Sequence, residues 1–337
     1  MTPPNAAGDH PREAGSPELS VVIPLYNEQE NLPDLHRRLT ESLTALGVSY
    51  EVVLVNDGSR DATPRLMEEL QERDGRVAAV HLSRNFGHQA AVCAGLDHAR
   101  GQAVVVMDGD LQDPPEVLEH YVRVWRQGYD VVYAVRTRRK EGLVKRACYA
   151  AFYRLLHAVS DIDIPLDSGD FCLMDRQVVE ALKALPERSR FVRGLRSFVG
   201  FRQIGIAYER AARHAGEPKY TFKKLVGLAL DGFVNFSSCP LQLAAYLGAG
   251  AAGLATLLTG GLAVAAVRGG AAPGWAWVVA AVLFMGAVQL LCLAILGQYV
   301  QRIFVESKGR PTYIASRVRP SGEVGEVGEA VRTQRAA

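Results

Sequence analysis

Two carboxylates, one residue apart, follow a short apolar run in the middle of the chain. Residues 102–107 are uncharged, and Asp108 and Asp110 come directly after them. Such a run is typical of a buried strand in an α/β sheet, where ligands bind just beyond the carboxyl ends of the strands. Mg²⁺ and Mn²⁺ prefer hard oxygen ligands and commonly join carboxylates to substrate phosphates. The pair therefore predicts a divalent-metal site, against the alternative of a solvated Asp-Gly turn.

Two further polar loops are predicted at strand ends. Residues 24–28 follow the first predicted strand, and residues 56–61 follow the second. The carboxylate of Asp57 can accept hydrogen bonds from a base N–H or a ribose hydroxyl. The amides after Asn27 lie at a predicted helix N-terminus, which suits a phosphate group. Asn, Asp and Gly also serve as ordinary turn and cap residues, so it is the shared placement beside Asp108 that favours a ligand site.

A regular alternation of strand and helix patterns supplies the scaffold for these loops. A helix capped by Asn27 carries an apolar stripe formed by Leu32, Leu35, Leu39, Leu43 and Leu46. Alternation of this kind predicts an α/β fold with a parallel sheet and right-handed crossovers. The other predicted helices are 63–73, 88–99 and 115–127, and the predicted strands are 19–25, 50–55, 77–82, 102–107 and 129–135.

Two long uncharged stretches, 241–267 and 275–300, lie in the last third of the chain. Each exceeds the ~20 residues that a helix needs to cross a bilayer, so two transmembrane helices are predicted. The link at 268–274 allows only a hairpin, and Lys and Arg residues concentrate outside the pair. By the positive-inside rule, both termini and the polar domain lie on the cytoplasmic side of the membrane. The alternative is a buried helical hairpin of a soluble protein.

The composition fits a polar domain joined to a membrane anchor. Hydrophobic residues make up 48% of the chain, yet its mean hydropathy is +0.02, an average over two unlike parts. The net charge of +2 predicts no nucleic-acid partner. No secretory signal is predicted at the N-terminus. The cysteines lack zinc or redox spacing and are expected to be reduced in the cytosol; they are Cys93, Cys148, Cys172, Cys239 and Cys292.

The predicted domain layout follows from these patterns. Residues 1–18 and 318–337 are small and polar, so both are predicted to be disordered, the second within a cytoplasmic tail at 301–337. The soluble domain is predicted at 19–218. Residues 219–240 mix Lys223 and Lys224 with apolar residues, as in a helix at the membrane interface. This segment and the spans are expected to position the domain and to add no chemical group.

A glycine pattern in the first predicted span is a false lead. Residues 248–253 match the dinucleotide-binding pattern G-x-G-x-x-G. The pattern does not open a helix after a strand, and the acidic residue that should follow is missing. Close packing of membrane helices explains these glycines better.

Four segments, in the same order along the chain, resemble one known family. They read V-I-P-L-Y-N-E at 22–28, D-G-S at 57–59, S-R-N-F-G at 83–87 and D-G-D-L-Q-D-P-P at 108–115. They are similar to the family 2 glycosyltransferases that load sugars onto polyprenyl phosphates, such as dolichol-phosphate mannosyltransferases and bacterial undecaprenyl-phosphate glucosyltransferases. The similarity runs from about Leu19 to Arg310 and includes the two-helix tail of the glucosyl branch.

This resemblance implies a GT-A-like domain and a metal-dependent, inverting enzyme. The donor would be a nucleotide diphosphate sugar, with UDP-glucose favoured, and the acceptor a polyprenyl phosphate in the bilayer, as a step towards a cell-envelope glycan. Asn56 stands where many relatives carry Asp, so uridine versus guanosine stays open. The sugar, the prenyl chain length, a homo-oligomeric state and Mg²⁺ versus Mn²⁺ stay open as well.

The resemblance also implies roles for individual residues. Asp110 and Gln112 would ligate the metal, and Asp108 would contact the ribose or the metal. Arg213 and Lys219 would belong to a mobile basic loop that closes over the donor diphosphate. The implied donor-binding residues are Pro24, Tyr26, Asn27, Glu28, Asp57, Asp108, Arg213 and Lys219, and the implied catalytic residues are Asp108, Asp110 and Arg136.

A basic run follows the predicted strand at 129–135. It contains Arg136, Lys145 and Arg146 and leads into aromatic residues. It would seat the lipid phosphate of the acceptor, and Arg136 would also meet the donor phosphates. The alternatives are a solvated face or an anchor for anionic lipids. Asp170 is a candidate for the sugar pocket, with a loop turn as its alternative.

The chemistry expected of such a site determines which alternatives stay open. Breaking a sugar–diphosphate bond requires the charge on the leaving group to be neutralised by a metal or by Arg and Lys side chains. A monophosphate acceptor has a second pKa near ~6, so it is ionised at neutral pH and needs no general base. A processive polysaccharide synthase is the first alternative, although the chain lacks the Glu-Asp dipeptide and the Gln-x-x-Arg-Trp motif typical of that class. A non-catalytic nucleotide-sensing membrane protein is the second.

Overall fold

The computed structural model describes residues 16–136, 168–188, 190–208, separate positions between 244 and 264, and 274–322. The chain divides into two compact units. The first unit comprises Met1–Tyr149, Ile164–Pro218 and Gly309–Ala337, and the second comprises Ala150–Asp163 and Lys219–Lys308.

The first unit is built on one eight-stranded sheet with the order β7-β5-β6-β4-β1-β2-β3-β8. Its strands are β1 (Leu19–Leu25), β2 (Tyr50–Asn56), β3 (Val77–Leu82), β4 (Ala103–Val106), β5 (Val131–Arg136), β6 (Ser168–Asp175), β7 (Gln203–Tyr208) and β8 (Ala315–Arg319). Its described helices are α1 (Leu32–Leu46), α2 (Thr63–Arg73), α3 (His88–His98), α4 (Leu118–Trp125), α5 (Arg176–Ala184) and α6 (Val192–Phe198), with a 3₁₀ turn at Pro115–Val117.

Most neighbouring strands in this sheet are parallel. β1 pairs in parallel with β2 and β4, β2 with β3, and β5 with β7. β6 is antiparallel to β4 and β5, and β8 is antiparallel to β3. The predicted α/β fold with a mostly parallel sheet is therefore confirmed, while the two antiparallel strands were not predicted.

The pairing register brings several strand ends to one edge of the sheet. Leu25 lies opposite Asn56, so β1 and β2 end together. Val106 at the end of β4 pairs with Cys172, which places the first residues of the antiparallel β6 beyond the end of β4. Arg136 at the end of β5 pairs with Tyr208 at the end of β7. The loops that carry the predicted site residues thus leave from this carboxyl edge.

The core lies between the sheet and α1. Alternate β1 residues from Leu19 to Leu25 pack with the leucine stripe of α1, and both sets are buried. Burying a leucine side chain stabilises the fold by about 1.5–3 kcal/mol. Leu46, the last leucine of the stripe, is only partly buried. The helix α1 begins at Leu32 after Asn31, and Asn27 lies outside it in a left-handed conformation with φ of 55°. Asn27 is therefore not the helix cap.

The predicted C-terminal tail contains a strand. β8 pairs with β3, with Ala79 opposite Arg319 and Leu82 opposite Ala315. Its pairing continues past both ends, since the Ser83 N–H donates to Ile314 O at 2.9 Å and the Gly322 N–H donates to Gly75 O at 2.8 Å. Disorder was predicted from residue 318 onward, and this is wrong for the first residues of that segment, which belong to β8. Without β8, the edge of β3 would carry a row of unpaired backbone groups.

The second unit contains one long apolar helix, α7 (Gly274–Ser307). The most apolar 18-residue window of its Trp277–Ser307 stretch has a mean hydropathy of 2.6 and is not buried. Among the described parts of the chain, this is the one helix long and apolar enough to cross a membrane. The predicted span 275–300 lies within it. The predicted span 241–267 is described only in part and 219–240 lies outside the described residues, so two spans, an interfacial helix and the cytoplasmic orientation stay predictions.

Two smaller predictions are tested by local structure. Gly248, Gly250 and Gly253 are helical, so they do not form the turn of a dinucleotide site. Cys93 and Cys172 are buried as free thiols. Burial raises the pKa of the Cys93 thiol to about 11, as expected of a cysteine that acts as a small core residue.

Candidate functional site

The loops after β1 and β2 are joined by a hydrogen-bond network. The consecutive amides of Asn27, Glu28 and Gln29 all donate to side chains of the loop after β2, and the Arg60 N–H donates back to Asn27 Oδ1 at 2.9 Å. The acceptors are Ser59 Oγ at 3.0 Å, Thr63 Oγ1 at 2.9 Å and Asp61 Oδ2 at 3.2 Å. The expectation that these amides receive a phosphate is therefore wrong, because they are already bonded within the protein.

Asp57 holds the next loop along the sheet edge. Its Oδ1 accepts the Phe86 N–H at 2.7 Å and its Oδ2 accepts the Gly87 N–H at 3.0 Å. Asp57 is 3% exposed, and burial raises the pKa of its carboxyl although the two amides act in the opposite direction. The predicted contact of Asp57 with a base or a ribose stays a prediction. In this structure, the Asp57 carboxylate fixes the loop after β3 through these two hydrogen bonds.

The close contact between the loops after β2 and β3 requires a glycine at position 58. Its φ is +67°, and a Cβ at this position would lie 2.5 Å from backbone atoms of Arg84 and Asn85. The loop after β3 therefore lies against the backbone of Gly58. Segments 57–59 and 83–87, which appear separate in the sequence, form one structural feature.

The loop after β4 carries the predicted metal ligands. A Cβ on Gly109 would lie 2.6 Å from Leu25 Cδ2, so the loop passes tightly over the end of β1. Leu111 has a φ of 57° and is buried, and the Gln112 N–H donates to Asp110 Oδ1 at 3.2 Å. Leu111 thus anchors the loop, while the side chains of Asp108, Asp110 and Gln112 remain partly exposed.

These side chains fit a divalent cation by their chemistry. The carboxylates of Asp108 and Asp110 and the amide oxygen of Gln112 are hard donors, and Mg²⁺ usually takes only one or two carboxylates when substrate phosphates complete its shell. Within the described ranges no three His, Cys, Asp or Glu side chains converge on one point. The donor set therefore suits a cation that arrives with a diphosphate better than a closed structural site.

His88 is a site residue that the sequence patterns missed. It is the first residue of α3, and its Nε2 lies 3.7 Å from Asp108 Oδ1 and 3.4 Å from Asp170 Oδ2. Burial lowers the pKa of the imidazole, but the two carboxylates outweigh it and raise that pKa above its ordinary value. Burial also raises the pKa of the Asp108 carboxyl to about 6, against the effect of His88. The only signal in the sequence was its position directly after segment 83–87.

Asp170 lies in β6, so it is not part of a loop turn. Arg193 on α6 contacts its Oδ1 with Nη2 at 3.1 Å and Nε at 3.3 Å. Gln89 Nε2 donates to its Oδ2 at 3.5 Å. Burial would raise the pKa of this carboxyl, but Arg193 and His88 hold it well below its usual range. Asp170 is therefore an ionised anchor between α3 and α6.

The far end of the β4 loop is fixed by aromatic residues. Tyr208 donates a hydrogen bond to Oδ1 of Asp113, and Asp113 is 1% exposed. The rings of Phe171 and Tyr121 stack with centroids 4.9 Å apart, and Tyr208 meets Phe171 edge to face at 6.1 Å. The sequence patterns did not single out Asp113 or Tyr208.

The remaining predicted residues are placed as follows. Pro24 is buried within β1 opposite Val55, and Tyr26 is partly exposed just after β1. Glu28 accepts a hydrogen bond from Asn31 Nδ2 at 2.7 Å. Arg136 ends β5 at the carboxyl edge. Lys145, Arg146, Arg213 and Lys219 lie outside the described residues.

Comparisons with known proteins give one consistent result. Residues 20–183 match the family model described as glycosyl transferase family 2. The chain is 44% identical over 301 residues to an uncharacterized glycosyltransferase of Synechocystis sp., which covers 89% of this chain and 95% of the relative. It is 38% identical over 304 residues to the prophage bactoprenol glucosyl transferase homolog of Escherichia coli, with coverage of 90% and 99%. It is 40% identical over 299 residues to the bactoprenol glucosyl transferase of Shigella phage SfV, with coverage of 88% and 97%.

A solved structure is also similar. A mannosyltransferase from Pyrobaculum calidifontis in complex with GDP-Man and Mn²⁺ matches with a TM-score of 0.44 and 21% identity, over 83% of this chain and 87% of that chain.

Proposed function

This chain belongs to glycosyl transferase family 2 and is a hexosyl-transferring enzyme with a GT-A-like α/β fold, and we propose that it moves glucose from a nucleotide diphosphate sugar to a polyprenyl phosphate. The observation that carries the proposal is the loop after β4. It presents two carboxylates and a glutamine at the carboxyl edge of the sheet, beside His88.

The acceptor is proposed from the relatives and from α7. Two relatives that cover about nine-tenths of this chain are named bactoprenol glucosyl transferases or homologues of them. A lipid acceptor requires an enzyme at the membrane, and α7 is long and apolar enough to cross one. The proposal includes a second span at 241–267, an interfacial helix at 219–240, and an inner-membrane enzyme with both termini in the cytoplasm.

The proposed reaction is a single displacement. An oxygen of the acceptor phosphate attacks the anomeric carbon, and the bond from that carbon to the donor diphosphate breaks. The products are a polyprenyl phosphate sugar and a nucleoside diphosphate, and the anomeric configuration inverts. A phosphate monoester has a second pKa near ~6, so the nucleophile is already ionised and the enzyme needs no general base.

The enzyme's main task is then to neutralise the leaving diphosphate. Asp110 and Gln112 would hold Mg²⁺ or Mn²⁺, which supplies Lewis-acid stabilisation when bound. Asp108 would contact the ribose or the same cation. Arg136, at the end of β5, would meet the phosphates, since fixed positive charge at a developing anion lowers the barrier.

The basic residues outside the described ranges are proposed to divide between the two substrates. Arg213 and Lys219 would contact the donor diphosphate, as parts of the loop that follows β7. Lys145 and Arg146 would contact the acceptor phosphate at the membrane surface, where each basic residue near anionic lipid contributes about 1 kcal/mol.

One experiment separates the proposal from its alternatives. Membranes that contain the enzyme are incubated with labelled UDP-glucose, UDP-N-acetylhexosamine or GDP-mannose and then extracted with organic solvent. Label in the lipid extract from UDP-glucose, absent with Asp110→Ala, supports the proposal. Label in a polymer that stays behind would indicate a processive synthase. Nucleotide binding without any turnover would indicate a nucleotide-sensing protein.

A further inference from the structure

We propose that His88 is a positioning residue for the transfer reaction, which holds the Asp108 carboxylate towards the donor by joining it to the fixed carboxylate of Asp170. This inference rests on the proposed function. It assigns a task to a residue that belongs to none of the predicted site groups.

The geometry places His88 between two carboxylates. Its Nε2 is 3.4 Å from Asp170 Oδ2 and 3.7 Å from Asp108 Oδ1. Its side chain is 37% exposed and that of Asp108 is 28% exposed, so the contact lies at the mouth of the site. Contacts of this kind are often long in the absence of substrate and tighten in the complex.

Asp170 is the fixed end of this arrangement. Two nitrogens of Arg193 contact its Oδ1, and Gln89 reaches its Oδ2. Gln89 is itself held, because its Oε1 accepts the Val192 N–H at 2.9 Å. Asp170 is therefore tied to both α3 and α6, and a group bonded to it has a defined position.

The backbone of His88 is fixed as well. Gly87, the residue before it, has a φ of 100° and donates its N–H to Asp57 Oδ2 at 3.0 Å. Asp57 thus places the start of α3, and with it the imidazole. This gives Asp57 a part in the site through the protein itself, beside its predicted contact with the donor.

The charges explain why a histidine is needed. Arg193, Asp170, His88 and Asp108 form a row, in which the imidazole of His88 separates the two carboxylates. Without His88, two carboxylates would face each other near a site that must receive an anionic diphosphate. Neighbouring carboxylates repel each other, so we expect Asp108 to turn away from Asp170 and from the donor when His88 is lost.

The test compares variants of the full-length enzyme in detergent. His88→Phe removes the N–H, and His88→Gln keeps an N–H donor of similar reach. His120→Gln is the matched control, since His120 is exposed on α4. The readouts are kcat, KM for the donor, UDP binding by calorimetry and thermal unfolding.

We expect His88→Phe to lower kcat by about 10- to 100-fold, the usual cost of losing a group that orients a site ligand. KM for the donor should rise and UDP affinity should fall, because Asp108 is no longer held towards the donor, while the unfolding midpoint should change little. His88→Gln should recover most of the rate and of the UDP affinity. In an enzyme that already carries Asp170→Asn, adding His88→Phe should lower kcat by less than a further factor of about three. The contact between His88 and Asp170 is already lost in that enzyme.

Two results would overturn the inference. The first is an unchanged kcat in His88→Phe. The second is an equal factor of loss in kcat when His88→Phe is made in the wild-type enzyme and in the Asp170→Asn enzyme. A His88→Phe protein that fails to fold is replaced by His88→Gln, for which an unfolded product would also contradict the inference. If the wild-type enzyme labels no lipid, the proposed function itself fails, and this outcome is distinct from either result.

Discussion

The hydroxyl of Tyr208, the last residue of β7, donates a hydrogen bond to Oδ1 of Asp113 in the loop after β4. Both residues are nearly fully buried. The loop that carries Asp108 and Asp110 is thereby fixed from β7, and the chain after β7 leads directly to Arg213 and Lys219.

Tyr208→Phe tests this anchor. It leaves a buried carboxylate without a hydroxyl donor, and a lost hydrogen bond to a charged group costs about 1.5–3 kcal/mol. We expect lower stability in urea denaturation and a lower kcat. Tyr121→Phe is the control, because the buried Tyr121 hydroxyl has no hydrogen-bond partner in the described structure and its removal should cost little. Equal losses in the two variants would contradict a special role for Tyr208.

Asp110→Ala tests the metal site. Loss of a ligand would leave the diphosphate charge uncompensated, so we expect the rate of lipid labelling to fall at least ~10²-fold. EDTA should abolish the wild-type activity, and added Mg²⁺ or Mn²⁺ should restore it. Glu119→Ala, an exposed acidic residue on α4, is the control and should leave the rate unchanged. A wild-type rate that survives chelation would show that the reaction does not use the metal.

Gly58→Ala tests the contact between the loops after β2 and β3. The backbone conformation is strained for alanine, and the added Cβ would lie 2.5 Å from backbone atoms that cannot move independently. We expect a loss of more than about 1 kcal/mol in stability together with a reduced kcat, since His88 follows this loop. Gly75→Ala, where no atom lies within 4 Å of the new Cβ, should be neutral. A Gly58→Ala enzyme as stable as wild type would contradict this account.

The division of basic residues between the substrates can be tested by kinetics. Lys219→Ala should raise KM for the nucleotide sugar, because a phosphate contact is lost. Loss of Lys145 and Arg146 together should instead raise KM for the polyprenyl phosphate. Each variant is measured at varied donor and at varied acceptor concentration, with the other substrate saturating. The same effect on both substrates in both variants would refute the division.

Much of the fold could be predicted from local sequence patterns. The predicted strands at 19–25 and 77–82 and the predicted helix at 63–73 agree with β1, β3 and α2 residue for residue. These elements have clear apolar periodicity, which depends only on near neighbours. β6, β7 and β8 were missed because their pairing depends on distant parts of the chain. β8, for example, pairs with a strand that lies more than 200 residues earlier.

The candidate site was predicted less completely than the fold. Asp108 and Asp110 do lie at the carboxyl edge of the sheet, as the end of their predicted strand indicated. Asp170 lies at the same edge, but on the antiparallel β6, which the sequence patterns missed. The partners of these residues could not be predicted. The Asp57 contact to the Phe86 amide and the His88 contact to Asp108 arise from how two loops meet, and no periodic pattern encodes that meeting.

The last prediction concerns what the chain beyond α7 contributes. The sequence predicts that a protein ending near Lys224 binds nucleotide and metal, because the residues proposed for chemistry all precede Tyr220. The structure changes this expectation. A protein ending there lacks β8, and it also lacks Tyr313, whose hydroxyl donates to Asp97 Oδ2 at 2.8 Å, and Ser321, whose hydroxyl donates to the buried Glu51 at 2.8 Å.

We therefore expect the protein that ends at Lys224 to aggregate or to unfold at a lower temperature, because the edge of β3 is left open. A protein in which a flexible linker replaces residues 225–308, so that Lys219 and residues 309–322 are kept, should fold and bind UDP. The two are compared by size-exclusion chromatography, thermal unfolding and calorimetry with UDP. If both fold and bind UDP equally well, β8 is dispensable for the donor site. If the linker protein folds but does not bind UDP, the replaced segment contributes to that site directly.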